Sequence, residues 1–331
     1  QASILARTPT YAPPKDFSRR HGGGMSGQPS RRVSSSAQLV SGAAAAAVQT
    51  VFWHPLDLLK TRLQVQDGRL EKGSGLPAYR SLRHAIASVA RKEGAIGFLR
   101  GVLPSVAGAS LAWGLQMPLY AQLKHLASVD PGMQRPLFYF AHREVVCSLL
   151  AGALTTVAVH PVFLVKTRMQ LQPRTRGGGA VRPDLAQPAY RHSADAVRSI
   201  VREEGVAGLY AGFAPSLLLS SHGAVLLVSY DHFKALYPSV LAASFAAKVF
   251  ATAATYPLQV VRAVMQQRPP ADGSFPYATA TATVGLLWQR GGAAAFYRGI
   301  GPQMLRTVPQ AMAFFSIYES ALKLLSRLWD S

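Results

Sequence analysis

The chain has 331 residues, of which 49% are hydrophobic and only 15% are charged. This composition excludes an ordinary soluble enzyme and favours a membrane protein, because long stretches of the chain carry no charge. The formal net charge of +20 would suit a nucleic-acid partner. No basic stripe with interleaved aromatic residues accompanies it, so we expect no nucleic acid and an anionic lipid surface instead.

Six apolar stretches are long enough to cross a bilayer, which takes about 20 helical residues. In chain order they cover residues 38–56, 102–123, 145–165, 211–230, 235–261 and 307–325. Lysine and arginine are concentrated in the long connections after the first and third stretches, and the positive-inside rule places those connections on the inner side. The sequence therefore predicts six transmembrane helices.

One pattern occurs three times near the end of an apolar stretch. HPLDLLKTRLQ begins at His54, HPVFLVKTRMQ at His160 and YPLQVVRAVMQ at Tyr256. A proline inside a helix removes one backbone hydrogen bond and kinks the helix. The three helix kinks are therefore expected at Pro55, Pro161 and Pro257.

A second element follows each copy of the first. It reads EGAIGFLRG from Glu93, EGVAGLYAG from Glu204 and GGAAAFYRG from Gly291, and a short amphipathic segment precedes it. Each unit is thus a span, an inner loop with a surface helix, and a second span, repeated about every 100 residues. We divide the chain into a basic low-complexity tail, 1–36, and three repeats, 37–126, 127–236 and 237–331.

These repeated elements resemble the mitochondrial carrier family (solute carrier family 25), over residues 37 to 328 or so. The resemblance implies an all-α membrane protein whose six transmembrane helices form three pseudo-threefold repeats around a central cavity. It also implies a multi-pass location in the mitochondrial inner membrane, transport by alternating access, and cardiolipin as a lipid partner. We expect no enzyme activity and no cofactor, because the sequence has no catalytic triad order and no phosphate-cradling loop. We expect no metal site either, since Cys147 is the only cysteine.

The resemblance assigns two gates to this chain. The matrix gate consists of Asp57, Lys60, Lys166, Gln259 and Arg262. Asp57 is expected to pair with Lys166, whereas Phe163 and Gln259 stand where acids are usual. The cytoplasmic gate consists of Lys124, Asp231, Lys234 and Glu319, with Glu319 and Lys124 as the expected pair. One full ion pair at each gate predicts two shallow barriers.

The expected substrate is inferred from Phe163 and Gln259, the two gate positions at which this chain lacks the usual acid. An acid, an aromatic residue and a glutamine at the three gate positions resemble the FAD/folate carrier branch. The strings GASLAWGL, SSHGA and AKVFATAATYPLQVVRA point to that branch as well. We therefore expect transport of FAD or folate. The alternatives are a nucleotide or NAD carrier, and a carrier-fold structural subunit of a respiratory-chain assembly in which other inner-membrane proteins contact the tail.

Six residues are candidates for substrate binding: Arg306, Trp113, His222, Ser221, Lys248 and Gly108. Arg306 is the strongest, because an arginine in a membrane span is costly and usually functional, and its guanidinium can bind a pyrophosphate or a carboxylate through two hydrogen bonds. Trp113 could stack on a substrate ring or pack between helices, and His222 could bind phosphate or serve packing. Gly114 and Gly223 are expected to permit close helix approach.

Overall fold

The computed structural model describes residues 35–66, 79, 81–127, 137–172, 190–237, 239–269 and 275–307. Within these ranges the chain is helical and contains no strand. The helices, in chain order, are α1 (Ser35–Gln64), α2 (Leu82–Lys92), α3 (Val102–Leu126), α4 (Leu137–Gln170), α5 (Ser193–Glu204), α6 (Phe213–Leu218), α7 (His222–Leu236), α8 (Val240–Met265) and α9 (Ala280–Ala295). Short 3₁₀ segments lie at Ala95–Leu99, Val206–Tyr210 and Leu219–Ser221.

Several of these helices are long enough to cross a bilayer. Three helical stretches, Ala95–Leu126, Val146–Gln170 and Val206–Leu236, are long and apolar enough to cross a membrane. Helices α1 and α8, with 30 and 26 residues, also have the necessary length. Residues 300–307 begin a further helix, and the rest of the predicted sixth span lies outside the described residues. Large apolar side chains are exposed on four of the long helices, as expected for an outer surface that faces lipid: Phe52, Leu103, Val228 and Phe250.

The three repeated prolines lie inside α1, α4 and α8. The residue before each proline donates a hydrogen bond to a backbone carbonyl of the second repeated element. His54 Nε2 contacts the Arg100 carbonyl at 2.9 Å, and His160 Nε2 contacts the Ala211 carbonyl at 3.1 Å. In the third repeat the Tyr256 hydroxyl contacts the carbonyl of Arg298 at 3.0 Å. Each proline-containing turn is thereby attached to the start of the next span of its own repeat.

The surface helices α2, α5 and α9 pack on the inner ends of α1, α4 and α8. Ser81 caps the start of α2, since its hydroxyl accepts a hydrogen bond from the His84 amide at 3.2 Å, and the helix buries Ala85 and Val89 against Leu59. The other two follow the same plan, with Ile200 of α5 and Leu287 of α9 in the corresponding clusters. The amphipathic pattern therefore positions one helix per repeat at the inner side.

Three glycines close the ring of repeats. Gly101, Gly212 and Gly299 have φ angles of +78°, +72° and +79°, which side-chain-bearing residues rarely adopt. A Cβ atom on each would lie 3.0–3.2 Å from a backbone carbonyl of another repeat: that of Lys166, of Arg262 and of Lys60, in the same order. Repeat 1 thus contacts repeat 2, repeat 2 contacts repeat 3, and repeat 3 contacts repeat 1. This cyclic contact is direct evidence of the threefold arrangement.

Within the described residues, an arginine–glutamate ion pair inside the repeat stabilises the inner side of the first two repeats, whereas the third repeat is joined to the second by Arg268 and Glu203. Arg62 binds Glu93 through both guanidinium nitrogens, with Nη2 3.0 Å from Oε2, and Arg168 binds Glu204 in the same way. Arg62 Nη1 also donates to the Tyr79 hydroxyl at 3.4 Å. Burial raises the pKa of Tyr79 although Arg62 acts in the opposite direction, so the phenol stays neutral at physiological pH. The third repeat has Val264 and Gly291 at the corresponding positions, so both partners are replaced together.

Candidate functional site

The inner ends of α1, α4 and α8 converge on Asp57. Lys166 Nζ lies 2.5 Å from Asp57 Oδ2, the pairing that the sequence resemblance implies. Arg306 Nη1 lies 2.6 Å from Asp57 Oδ1, so this one carboxylate holds two cations. Lys60 Nζ donates to Gln259 Oε1 at 2.9 Å, a contact with a neutral partner. One acid therefore supports the whole inner barrier within the described residues.

A layer of threonines and glutamines lies one turn beyond these charges. Thr61 Oγ1 donates to Gln170 Oε1 at 2.9 Å, and Gln170 Nε2 donates to Asp57 Oδ2 at 3.3 Å. Thr167 Oγ1 donates to Gln266 Oε1, also at 2.9 Å. The third repeat has Ala263 in place of the threonine and cannot make this contact. The layer links repeat 1 to repeat 2 and repeat 2 to repeat 3 by side-chain hydrogen bonds.

A cavity of about 510 Å³ opens above this barrier. Its charged wall residues, among those that the structure describes, are five cations and one acid: Lys60, Lys166, Lys248, Arg262, Arg306 and Asp57. The volume lies in the range typical of small-molecule sites. Because Asp57 is the only acid in the described part of the wall, that part has a large positive surplus, which favours an anionic occupant.

Three polar side chains are linked by hydrogen bonds at one side of this cavity. His222 Nδ1 lies 2.9 Å from Thr255 Oγ1, and Lys248 Nζ lies 3.4 Å from His222 Nε2. The Lys248 ammonium can only donate, so Nε2 accepts and the proton of the neutral imidazole is on Nδ1. The histidine therefore connects Lys248 to Thr255 and fixes the position of the ammonium group at the cavity wall.

The second repeat has Phe163 at the gate position where an acid is usual. Arg262 has no carboxylate within ion-pair distance among the described residues, and it lines the cavity. Phe163 packs against α3 at Gly108, where an added Cβ would lie 3.2 Å from the ring. Lys166 Nζ lies 5.7 Å from the centroid of the same ring. The aromatic side chain thus contacts α3 and lies beside Lys166, and it supplies no carboxylate to the gate.

The family model described as "Mitochondrial carrier protein" matches residues 31–130, 139–241 and 237–328. The chain belongs to the mitochondrial carrier family. It is therefore a transporter of small solutes and not an enzyme, and it is a membrane protein of a mitochondrial or plastid inner membrane. The predicted fold class is confirmed, including the three repeats.

Individual carriers are similar over nearly their full length. "Folate transporter 1, chloroplastic" of Arabidopsis thaliana is 34% identical over 87% of this chain and 94% of the relative. "Nicotinamide adenine dinucleotide transporter 1, chloroplastic" of the same organism is 31% identical, with 86% and 90% covered. "Nicotinamide adenine dinucleotide transporter 2, mitochondrial", also of Arabidopsis thaliana, is 30% identical, with 86% and 78% covered.

Four of the six substrate candidates line the carrier's cavity: Arg306, Trp113, His222 and Lys248. Gly108 is buried under the Phe163 ring, and Ser221 donates to the Leu218 carbonyl at 2.7 Å; neither is part of the cavity wall. Their roles in binding stay predictions.

The described part of the cytoplasmic gate is on the outer ends of α3 and α7. Lys124 Nζ and Lys234 Nζ each lie 6.0 Å from the ring centroid of the tyrosine four residues before, Tyr120 and Tyr230. Asp231 is exposed. Glu319 lies outside the described residues, so its pairing with Lys124 stays a prediction.

Sequence reasoning missed the contact between Arg306 and Asp57 and five of the six glutamines that line the carrier's cavity within the described residues. Gln259 was expected at the gate, whereas Gln49 and Gln303 were not, nor were Gln64, Gln170 and Gln266 at the end of each repeated pattern. The recurrence of glutamine four residues after the gate cation was the available signal. The arginine contact gave no such signal, because its partner is 249 positions away.

Proposed function

We propose that this carrier moves an organic anion with a planar ring system, with folate and FAD as the preferred candidates, by alternating access. The observation that supports it is the cavity of about 510 Å³ with five cations and one acid in its wall. A neutral or cationic solute would leave this surplus uncompensated, whereas carboxylates or a pyrophosphate offset it. The folate transporter among the relatives supports the same class of substrate.

The mechanism follows from the shared carboxylate. An anion that enters the cavity competes with Asp57 for Arg306 and Lys166, since both cations line the cavity and both are held by the same acid. Once it has bound, the hydrogen bonds to neutral acceptors remain: Lys60 to Gln259, and the threonine–glutamine pairs that join repeat 1 to repeat 2 and repeat 2 to repeat 3. Opening of the inner gate then requires these hydrogen bonds to break, at about 1.5–3 kcal/mol for the charged donor and about 0.5–1.5 kcal/mol for each neutral pair.

The ring of the substrate has its own candidate partners. Trp113 presents an indole to the cavity, and aromatic pairs gain about 0.5–1.5 kcal/mol beyond the area they bury. Amides such as Gln49 and Gln303 can both donate and accept, as the edges of a pterin or flavin require. These groups orient the ring, whereas the cations bind the acidic end.

A second candidate function is the transport of NAD or another nucleotide. It is favoured by the two NAD transporters among the relatives, which are nearly as similar as the folate transporter. The same cations would bind a pyrophosphate bridge. The cavity charge therefore agrees with both functions, and the substrate must be distinguished by competition.

We propose the mitochondrial inner membrane as the location, with cardiolipin bound to the inner side. The sequence resemblance and the basic inner loops support this choice, because anionic lipids attract clusters of lysine and arginine. Fractionation of organelles with an antibody to the chain tests it. Recovery with the plastid envelope would replace the mitochondrion as the site of action.

The experiment that tests the function is uptake of labelled folate, FAD, NAD and ATP into liposomes that contain the purified carrier, each measured alone and with the other three as unlabelled competitors. Saturable uptake that unlabelled folate or FAD blocks more strongly than NAD and ATP supports the first proposal. Stronger inhibition by NAD or ATP selects the second. No uptake of any of the four by folded protein rejects transport and favours a structural subunit, whose partners would then be sought by cross-linking.

A further inference from the structure

A second pocket is lined by residues of α3, α4 and α7 and by Ser220, and it shares no lining residue with the cationic cavity. Its volume is about 400 Å³, and its lining includes Met117, Tyr120, Ser148, Ala224 and Leu227. No charged side chain belongs to the lining that the structure describes. Its chemistry is therefore unlike that of the cationic cavity, with a thioether, a phenol and small side chains in the wall.

Residues that line the cationic cavity and residues that line the second pocket are neighbours along α3 and α7. On α3, Trp113 lines the cationic cavity and Met117, one turn later, lines the second pocket. At the start of α7, His222 lines the cavity and Gly223 lines the pocket. A helix rises 1.5 Å per residue, so the two sets of wall residues are separated by about 6 Å along α3. A molecule longer than this distance can contact both.

Gly223 leaves room in the pocket. A Cβ built on this residue meets no atom within 4 Å, and the residue is exposed in the helix. The expectation that Gly223 permits close helix approach is therefore wrong, and the same holds for Gly114. Both glycines leave open space beside the helix, but only Gly223 belongs to the lining of the pocket.

We propose that the pocket at Met117, Tyr120 and Gly223 is the subsite for the planar ring of the substrate, while the acidic end binds in the cationic cavity. This inference rests on the proposed function. An uncharged wall with a thioether and a phenol suits a flat aromatic system, because sulfur and ring edges make favourable contacts with aromatic rings. The open space over Gly223 is what admits a ring against the helix backbone.

The test fills the pocket from two sides and measures transport in liposomes. Gly223→Phe and Ser148→Phe each add a large side chain to the lining, from α7 and from α4. Gly114→Phe is the matched control, because it fills similar open space on α3 outside both linings. The labelled substrate is whichever of folate, FAD and NAD the wild-type carrier takes up. Inorganic pyrophosphate serves as a competitor that has charge but no ring.

We expect the KM for the ring-bearing substrate to rise about tenfold in both pocket variants, which corresponds to the loss of about 1.4 kcal/mol of contact. The KM of Gly114→Phe and the inhibition constant of pyrophosphate should stay at wild-type values in all variants. If one pocket variant does not fold, the other carries the test, since Ser148 is exposed and its replacement leaves α7 unchanged.

Two results overturn the subsite. An unchanged KM in the pocket variants shows that the ring binds elsewhere and leaves the proposed function intact. A parallel rise in the pyrophosphate constant shows general distortion of the cavity rather than loss of a ring contact. Absence of uptake by the wild-type protein rejects the proposed function first, and the subsite with it.

Discussion

At the scale of single residues, Asp57 is the centre of the inner barrier. It is the acid that binds both Lys166 and Arg306, and it accepts a further hydrogen bond from Gln170. A gate with three acids would retain ion pairs after the loss of any one. Here the departures at Phe163 and Gln259 concentrate the electrostatic part of the barrier in one carboxylate. In the mechanism that we propose, substrate and gate therefore compete for the same cations.

Replacement of Arg306 by alanine removes one of these shared cations. We expect the KM for an anionic substrate to rise about 10- to 100-fold, which is the loss of one charge-assisted hydrogen bond of about 1.5–3 kcal/mol. Arg306→Lys should restore part of the affinity. Uptake kinetics in liposomes measure both, and the exposed Arg91→Ala on α2 is the control for loss of a positive charge elsewhere. A wild-type KM in Arg306→Ala would remove Arg306 from the site.

Gln259→Glu should deepen the inner barrier, because its carboxylate would meet Lys60, which now contacts the Gln259 amide at 2.9 Å. An ion pair there should slow turnover several-fold and raise the thermal unfolding temperature of the carrier in detergent. The double variant Lys60→Ala with Gln259→Glu supplies the fourth corner of a double-mutant cycle. If the slower turnover persists without Lys60, the added charge acts on the cavity as a whole and not on the gate.

At the scale of elements, the buried pairs between α1 and the end of α2, and between α4 and α5, hold the inner side. Glu93→Ala should leave Arg62 buried without its carboxylate, which costs about 3–5 kcal/mol. We expect a clear fall in the thermal unfolding temperature, whereas Asp195→Ala, which removes the exposed hydrogen bond from the Arg191 amide to the Asp195 carboxylate, should have a small effect. Comparable temperatures for the two variants would contradict a stabilising role for the Arg62–Glu93 pair.

The contact of repeat 3 with repeat 1 depends on the backbone at Gly299. Gly299→Ala would place a Cβ 3.0 Å from the Lys60 carbonyl in a conformation with φ of +79°, and strain of this kind costs about 1–3 kcal/mol. Gly301→Ala, two residues on in a helix and with open space beside it, is the matched control. Thermal unfolding should distinguish them, with a lower temperature for Gly299→Ala alone. Equal stability would mean that this end of the ring relaxes freely.

At the scale of the whole molecule, the repeat pattern predicted the fold, and the positions that it aligned include the contacts of Asp57 with Lys166 and of Lys60 with Gln259. Such features follow from periodicity and symmetry, since a position in one repeat implies the depth of its equivalents in the other two. The contact between Arg306 and Asp57 does not follow from the threefold symmetry. The open space beside Gly223 depends on how the neighbouring helices pack. Neither has a sequence signal, because both are set by tertiary packing of chain segments far apart in sequence.

The charge of the assembled cavity should determine which solutes enter it. Because five cations and one acid line the described part of the cavity, FAD should compete for uptake at least about 100-fold more strongly than riboflavin, which has the same ring and no phosphate. If folate is the substrate, folate and the uncharged pterin form the equivalent pair. Lys248→Ala, which keeps the gate residues, should reduce this discrimination. Equal competition by the charged and uncharged members of a pair would show that the ring alone is recognised, and that the cations serve the gate instead of the substrate.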